Sequence, residues 1–282
     1  MPLVTLREIL QKTDQSDYGV GSFNVVSMEM VMGVIRAAEE TFSPIILQTA
    51  EARLKHSPLN LIGPLMVEAA CKAKVPVAVH LDHGSQLEII KQALEIGFTS
   101  VMFDGSRLPL AVNITKTLEV ARLAQGYGAS VEAEIGRVGG SEDGAEDIEM
   151  AITQVQDAQT FFEHTGVDAL AVAIGNVHGV YKREPNLQFA RLKDIHAAVA
   201  APLVLHGGSG ITAQDFRQCI QHGIKKINVQ TATLHKVVAK VRSLFQQTEN
   251  PDYFTYHECV IAAAHESAKD HMEAFQSVNQ AW

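Results

Sequence analysis

Apolar and polar positions along this 282-residue chain switch repeatedly between two periods. Short β-branched and aliphatic runs alternate with longer stretches whose apolar residues recur every three to four positions. These are the periods of strand and amphipathic helix. The runs predict strands near Tyr18–Asn24, Pro44–Gln48, Val77–His80, Ser100–Phe103, Ser130–Ile135, Ala169–Ile174, Leu203–His206 and Lys226–Val229. The helical patterns that follow them cover Met28–Glu40, Leu59–Ala73, Leu87–Ile96, Leu110–Tyr127, Val155–His164, Phe189–Val199, Ala213–His222 and Thr233–Gln247. Eight strand–helix pairs predict a (β/α)8 TIM barrel occupying residues 1–282 as one domain, with His257–Val278 as an extra C-terminal helical segment. A doubly wound open sheet shares the same alternation. Helix punctuation agrees: Thr212, and Asp157 or Thr153, are candidate N-caps, while Gly97, Gly166 and Gly223 stand where helices end.

Three of the apolar runs lead into His followed by Gly: Val77–Gly84 (VAVHLDHG), Leu170–Gly179 (LAVAIGNVHG) and Pro202–Gly207 (PLVLHG). Strand tips of that kind meet only if the strands are parallel neighbours, and a closed barrel gathers its C-terminal strand ends on one face. His83, His178 and His206 are therefore expected around one metal ion. Three neutral imidazoles suit Zn2+ and leave its charge to polarise a substrate oxygen. Asp82, beside His83, is placed to exchange a proton with a bound hydroxyl; a turn or cap role is the plain alternative.

Val131-Glu132-Ala133-Glu134-Ile135 alternates strictly, so both glutamates share a face. In a barrel the apolar set meets the helices, which puts Glu132 and Glu134 inside, near the metal, where buried carboxylates need a cation or donors. The acidic, glycine-rich insertion Gly139–Met150, carrying Glu142 and Asp143, follows this strand and reads as a lid. Gly207-Gly208-Ser209-Gly210 and Asn228-Val229-Gln230-Thr231 follow the last two strands, where barrels commonly hold phosphate on backbone N–H groups and a helix N-terminus. Gly179 and Lys182 are expected to complete that site, Lys182 supplying charge.

Composition narrows the partners. A formal charge of −9 argues against nucleic acid, yet leaves room for a locally positive phosphate pocket. Cys71, Cys219 and Cys259 lie far apart, as suits a reducing cytoplasm rather than a disulfide scaffold. No run reaches the roughly 18 apolar residues of a membrane span, and the first ten residues lack a signal-peptide core. The expectation is a cytoplasmic enzyme without a membrane or nucleic-acid partner.

Together these stretches resemble the class II, zinc-dependent ketose-phosphate aldolases. The resemblance rests on Phe23–Val25 (FNV), His80–Gly84 (HLDHG), Asp104–Ser106 (DGS), Val131–Gly136 (VEAEIG), Gly139–Gly144 (GGSEDG), Gly175–Lys182 (GNVHGVYK), Leu205–Gly210 (LHGGSG) and Ile227–Thr231 (INVQT). It implies a lyase of carbohydrate metabolism, glycolysis included. Such an enzyme cleaves a phosphorylated ketose of the fructose- or tagatose-1,6-bisphosphate type to dihydroxyacetone phosphate and an aldehyde. The family also includes the aldolase of inositol breakdown, which releases malonate semialdehyde.

The resemblance further implies that His83, His178 and His206 bind zinc, that Glu134 contacts the metal when it shifts, and that Glu132 supports it. Asp82 then handles the proton of the hydroxyl at the cleaved bond, and Glu142 exchanges the proton at the nucleophilic carbon. Asn24, Gly179, Lys182, Gly207, Gly208, Ser209, Asn228, Gln230 and Thr231 correspond to the substrate pocket. A monovalent cation (Na+ or K+) near the phosphate and a homodimer or homotetramer are implied as well.

Three departures bear on the aldehyde half. Gln230 replaces the Asp of fructose-type members, Ala50 replaces a small hydroxyl residue, and Glu258 stands where bisphosphate aldolases carry an arginine. Arg53 is left as the cation near that half. A ketose 1-phosphate or a carboxylated sugar phosphate is therefore the alternative substrate. Two other function classes compete: a non-catalytic phosphosugar-binding or partner-stabilising barrel, and a water-activating metal hydrolase. The intact histidine set with Glu142 speaks against the first. The lack of paired histidines at Phe23–Val25 speaks against the second.

Overall fold

The computed structural model describes residues 2–13, 16–140, 149–179 and 185–282. The chain opens with α1 (Leu6–Gln11), β1 (Val20–Asn24), α2 (Met28–Thr41), β2 (Ile45–Ala50) and a 3-10 turn at Glu51–Arg53. Next come α3 (Leu59–Lys72), β3 (Val77–Gly84), α4 (Leu87–Ile96), β4 (Ser100–Phe103), α5 (Leu110–Gln125) and β5 (Ser130–Ile135). The short strand β6 (Gly139–Gly140), α6 (Val155–Thr165), β7 (Ala169–Val172) and the short strand β8 (Val177–His178) follow. The chain ends with α7 (Phe189–Ala198), β9 (Leu203–Leu205), α8 (Ala213–Gln221), β10 (Ile224–Val229), α9 (Thr231–Gln247) and α10 (Tyr253–Ala274).

Eight strands close a parallel barrel in the order β1-β2-β3-β4-β5-β7-β9-β10, with β10 returning to β1. The sequence expectation of a closed TIM barrel is met, and the open sheet is excluded by the β1–β10 pairing from Val20↔Lys226 to Phe23↔Val229. Outward residues such as Phe23, Leu47, Val79, Leu81, Val101 and Ala133 join the main core between barrel and helices. Inside, the layers differ in chemistry. The bottom layer is apolar: Val20, Ile46, Ala78, Ala169 and Val204 pack on Leu6, Ile9 and Leu10 of α1, which plugs the N-terminal mouth. Burying each of those three side chains contributes about 1.5–3 kcal/mol, and a Thr5–Glu8 capping box holds the short helix. Above it, the inward positions are polar and fully buried: Ser22, Gln48, His80, Ser100, Glu132 and Lys226.

The structure also departs from the expected elements. β3 continues through Asp82 and His83 to Gly84 instead of ending at His80. The sequence pattern overlooked α1, whose six residues are too few for a helical period to stand out. α10 begins at Tyr253, capped by Asp252, and ends at Ala274. Neither Thr153 nor Asp157 caps α6: its N-cap is Gln154, without a side-chain bond. Thr153 is committed elsewhere, donating to the Ile135 carbonyl and accepting from the Ala173 amide. Thr212 does cap α8, and Gly97 and Gly166 end α4 and α6 in the left-handed region.

Candidate active site

Consecutive residues of a regular strand face opposite ways, so Asp82 and His83 would not both look into the barrel. They do so here because β3 is irregular. Its register against β4 shifts between Leu81 and Gly84, and His83 adopts φ 48°, a left-handed conformation that histidine tolerates better than most residues. Asp82 Oδ1 lies 4.0 Å from His83 Nε2. A backbone strained in this way at a polar strand tip is typical of a functional position.

His206 follows β9, and Asn176 donates to its carbonyl at 2.9 Å. His178 lies beyond the end of β7 and is held by the β6–β8 pairing, Gly140↔His178. The three rings sit edge to face, with centroids 4.5 Å (His83–His206), 5.1 Å (His83–His178) and 5.9 Å (His178–His206) apart. One ring nitrogen from each lies within 4.8 Å of the others. His83, Asp104 and Glu134 form a second such group that shares His83.

The hydrogen bonds behind the rings test whether a metal fits. His83 Nδ1 is 2.8 Å from Asp104 Oδ2, and His206 Nε2 is 2.9 Å from Glu132 Oε1. A carboxylate accepts only, so each holds the ring N–H on its own side. The remaining nitrogens, His83 Nε2 and His206 Nδ1, face each other across 2.8 Å. Both are then lone pairs, and two facing lone pairs repel unless a cation sits between them. Burial, with the adjacent His83 second, holds the His206 pKa well below its ordinary value. His206 is therefore the neutral imidazole that metals require. The donor set fits a cation, and it carries the outer carboxylates usual behind metal-binding histidines.

Asp82 is clamped by three amides from three strands: Asn24 Nδ2 (3.0 Å), Gln48 Nε2 (3.1 Å) and Asn228 Nδ2 (3.0 Å). Burial opposes its charge, but His83, His206, Lys226 and the Asn24 amide outweigh that and hold its carboxyl below the usual range. Asp104 is similar: burial opposes ionisation, while His83 and Ser106 keep its pKa well below that of an ordinary carboxyl. Glu134 accepts from the Val138 amide at 3.2 Å and lies 3.7 Å from His206 Nδ1.

A pocket opens over this centre, lined by Asn24, Asp82, His178, Gly179, Gly207, Ser209, Asn228, Gln230 and Thr231. The structure thus gathers most of the expected site residues at one place. Thr231 starts α9, and Ser209 Oγ accepts from the Ala232 amide at 2.9 Å, so the floor of the pocket meets the positive end of a 17-residue helix. Gly208 is not in the lining: its amide bonds the Asn228 carbonyl at 3.2 Å, a structural position. Arg53 lies behind the rim. With the Gln230 amide oriented by its neighbours, its oxygen accepts from Arg53 Nη2 (2.7 Å) and Nε (2.5 Å). Glu258 meets Arg36 at 3.5 Å between α10 and α2 and does not line the pocket. The positions of Glu142 and Lys182, and residues 141–148 of the expected lid Gly139–Met150, fall outside the described residues.

Sequence reasoning missed Gln48, His80, Asn176 and Lys226. Each is a polar residue within or just beyond a strand of otherwise apolar character. That was the available signal for Gln48, His80 and Asn176, whereas Lys226 beside Lys225 carries none.

Comparison with known proteins bears on the same residues. Residues 4–280 match the family model described as fructose-bisphosphate aldolase class-II. The chain is 39% identical to a probable fructose-bisphosphate aldolase of Bacillus subtilis, with the full length of both chains covered. It is 37% identical to the 6-phospho-5-dehydro-2-deoxy-D-gluconate aldolase of Bacillus licheniformis, covering all of this chain and 97% of the other. Among solved structures, the YdjI aldolase of Escherichia coli K12 superposes with a TM-score of 0.87 at 34% identity, over 99% of this chain and 100% of that one. No helix of the described residues is long and apolar enough to cross a membrane.

Proposed function

Because the chain belongs to the class II fructose-bisphosphate aldolase family, whose members are metal-dependent lyases, we propose that His83, His178 and His206 bind Zn2+ and that the pocket above them cleaves a ketose 1-phosphate. The observation that carries the metal reading is the pair of ring nitrogens, His83 Nε2 and His206 Nδ1, facing each other at 2.8 Å with carboxylates behind both rings. Zinc in that position supplies the Lewis acid that lowers the cost of charge on the ketose oxygens. The chain's own groups do the rest. The amide clamp holds Asp82 as a carboxylate aimed at the site, where it takes the proton of the hydroxyl at the bond that breaks. The resemblance assigns proton exchange at the dihydroxyacetone phosphate carbon to Glu142. Gly179, Gly207, Ser209 and the α9 N-terminus hold the phosphate, with Lys182 as its cation, and so fix the carbonyl relative to Asp82. Asn24 and Asn228 serve both the clamp and the pocket wall.

The aldehyde half is read from Arg53 and Gln230. The described lining contains no Lys or Arg, and Arg53 meets the lining residue Gln230 through its guanidinium. A single guanidinium suits a carboxylate or a set of hydroxyls, and one relative is named for a phosphorylated sugar acid. The reading is of one catalytic domain over the whole chain, active as a homodimer or homotetramer. The monovalent cation beside the phosphate rests on the family resemblance alone, and activity in K+ against Na+ buffers tests it.

The experiment compares kcat/KM for fructose and tagatose 1,6-bisphosphates, their 1-phosphates and carboxylated analogues, in the wild type and Arg53→Ala, before and after chelation. Activity is expected to vanish on chelation and return with zinc. The 1-phosphates or carboxylated analogues are expected to be preferred, and Arg53→Ala to erase that preference. A bisphosphate favoured by about 100-fold, about 2.7 kcal/mol of transition-state binding, refutes the aldehyde reading. Activity that survives exhaustive chelation refutes the metal reading.

A further inference from the structure

Lys226 is the one fully buried lysine among the described residues, and its side chain points into the barrel beneath the candidate metal site. It sits on β10 one inward position below Asn228, and its Nζ lies 2.8 Å from Glu132 Oε2. Both side chains have no exposure at all. Nζ makes no hydrogen bond of regular geometry among the described residues, so the Glu132 ion pair is its direct partner, while its charge also acts on Asp82. The other Glu132 oxygen, Oε1, meets His206 Nε2 at 2.9 Å. Buried His80 flanks the pair, with Nδ1 2.7 Å from Ser100 Oγ and Nε2 3.7 Å from Glu132 Oε2. A charge is tolerated so deep only when paired, so Lys226 and Glu132 fix each other in place.

We propose that Lys226 is a positioning residue for the metal site. It anchors the Glu132 carboxylate, which in turn keeps the His206 N–H on Nε2 and aims the Nδ1 lone pair at His83 Nε2. The chain of contacts runs Lys226–Glu132–His206, from the middle of the barrel to the pocket floor. Lys226 touches neither substrate nor metal in this arrangement and acts only through Glu132.

The inference rests on the metal reading above, and the experiment separates the two. Zinc affinity is measured by chelator competition on the full-length wild type, Lys226→Met, Glu132→Gln and the double variant, with melting temperature recorded for each. Lys226→Met is expected to lower zinc affinity about 10- to 100-fold, the usual effect of losing an outer partner of a ligand. It is also expected to melt earlier, because Glu132 is left as an unpaired buried charge. Adding Glu132→Gln removes that charge and restores the melting temperature but not the zinc affinity. In the Glu132→Gln background, Lys226→Met costs no further affinity, since both act along one path. If Lys226→Met alone fails to fold, the comparison of Glu132→Gln with the double variant still carries the test. Wild-type zinc affinity in folded Lys226→Met, or losses that add independently in the double variant, overturns the proposal. A wild type that binds no zinc overturns instead the metal reading on which it stands.

Discussion

Gly207 sits between the candidate metal histidines and the proposed phosphate loop, and replacing it tests how tightly the two are joined. Its φ is +64°, and a Cβ built there would lie 2.1 Å from the Val177 carbonyl oxygen and 3.2 Å from the His178 amide. Ordinary contact begins near 3.4 Å, so Gly207→Ala must push the two loops apart by about 1.3 Å. The left-handed backbone adds its own cost of about 1–2 kcal/mol. Gly166 separates these effects: its φ is +58°, yet a Cβ there meets nothing within 4 Å. Gly166→Ala therefore carries the backbone cost alone. The atoms that must give way at Gly207 belong to Val177 and His178, so the displacement passes directly to a candidate ligand and to the phosphate cradle. A misplacement of about 1 Å costs on the order of 100-fold in rate, about 2.7 kcal/mol. The assay is kcat/KM for cleavage, with zinc content and melting temperature measured on both variants. Gly166→Ala should melt earlier with near wild-type kcat/KM. Gly207→Ala should lose about 100-fold in kcat/KM or lose zinc. Equal activity in the two variants would mean that the loops yield without moving His178, and the reasoning fails.

Two further outcomes follow from the same geometry. Asp104→Ala removes the carboxylate 2.8 Å from His83 Nδ1, so zinc affinity should fall about 10- to 100-fold; chelator competition showing unchanged affinity would remove Asp104 from that role. Burial pushes the Cys219 thiol up to about 12, with Asp215 adding to it, and burial likewise pushes Tyr18 up to about 12. Both raised values mean that the folded state keeps protons that the unfolded chain releases, so their stability contribution is complete below about pH 9 and is lost as pH rises toward 12. Alkaline melting curves should show that decline, and Cys219→Ala should flatten part of it; an unaltered slope in the variant would refute the assignment.

The barrel was legible in the sequence because each strand carries an apolar outward face and each helix an amphipathic stripe. Strand starts and ends shifted by a few residues, since a strand stops where its pairing stops rather than where apolar character fades. The histidines stood out because His-Gly at a strand tip serves no packing purpose. What stayed hidden was contact between distant strands. Asp104 lies only in the DGS motif by sequence, and its 2.8 Å bond to His83 exists only once β3 and β4 pair. The shared inward aim of Asp82 and His83 contradicts strand alternation, and only the left-handed φ of His83 produces it. Lys226 opens KINV on the last strand, and no local signal distinguishes a lysine that points into the barrel from one that reaches solvent. Its neighbour Lys225 points the other way, donating to the Thr13 and Ser16 carbonyls.

The division of the barrel interior into an apolar floor and a polar middle bears on where the stability resides. A buried ion pair such as Lys226–Glu132 rarely stabilises a fold relative to an apolar pair of the same volume, because desolvation offsets its Coulomb attraction. Ser22, Gln48 and Ser100 around it are hydrogen-bonded rather than strongly stabilising, and His80 bonds Ser100 through Nδ1 while its Nε2 stands 3.7 Å from Glu132 without a hydrogen bond. Stability must then come from outside that layer. The apolar shell between strands and helices supplies most of it, and α1 closes the floor with Leu6, Ile9 and Leu10. α10 adds a long contact along α2, burying Val260, Ile261, Ala263, Ala264, Ala268 and Met272. A barrel supported from its periphery is free to keep charge at its centre, and every member of that central network leads within one to three contacts to Asp82 or His206. The polar middle is thus best understood as the foundation of the site, positioned by a fold whose cohesion lies elsewhere.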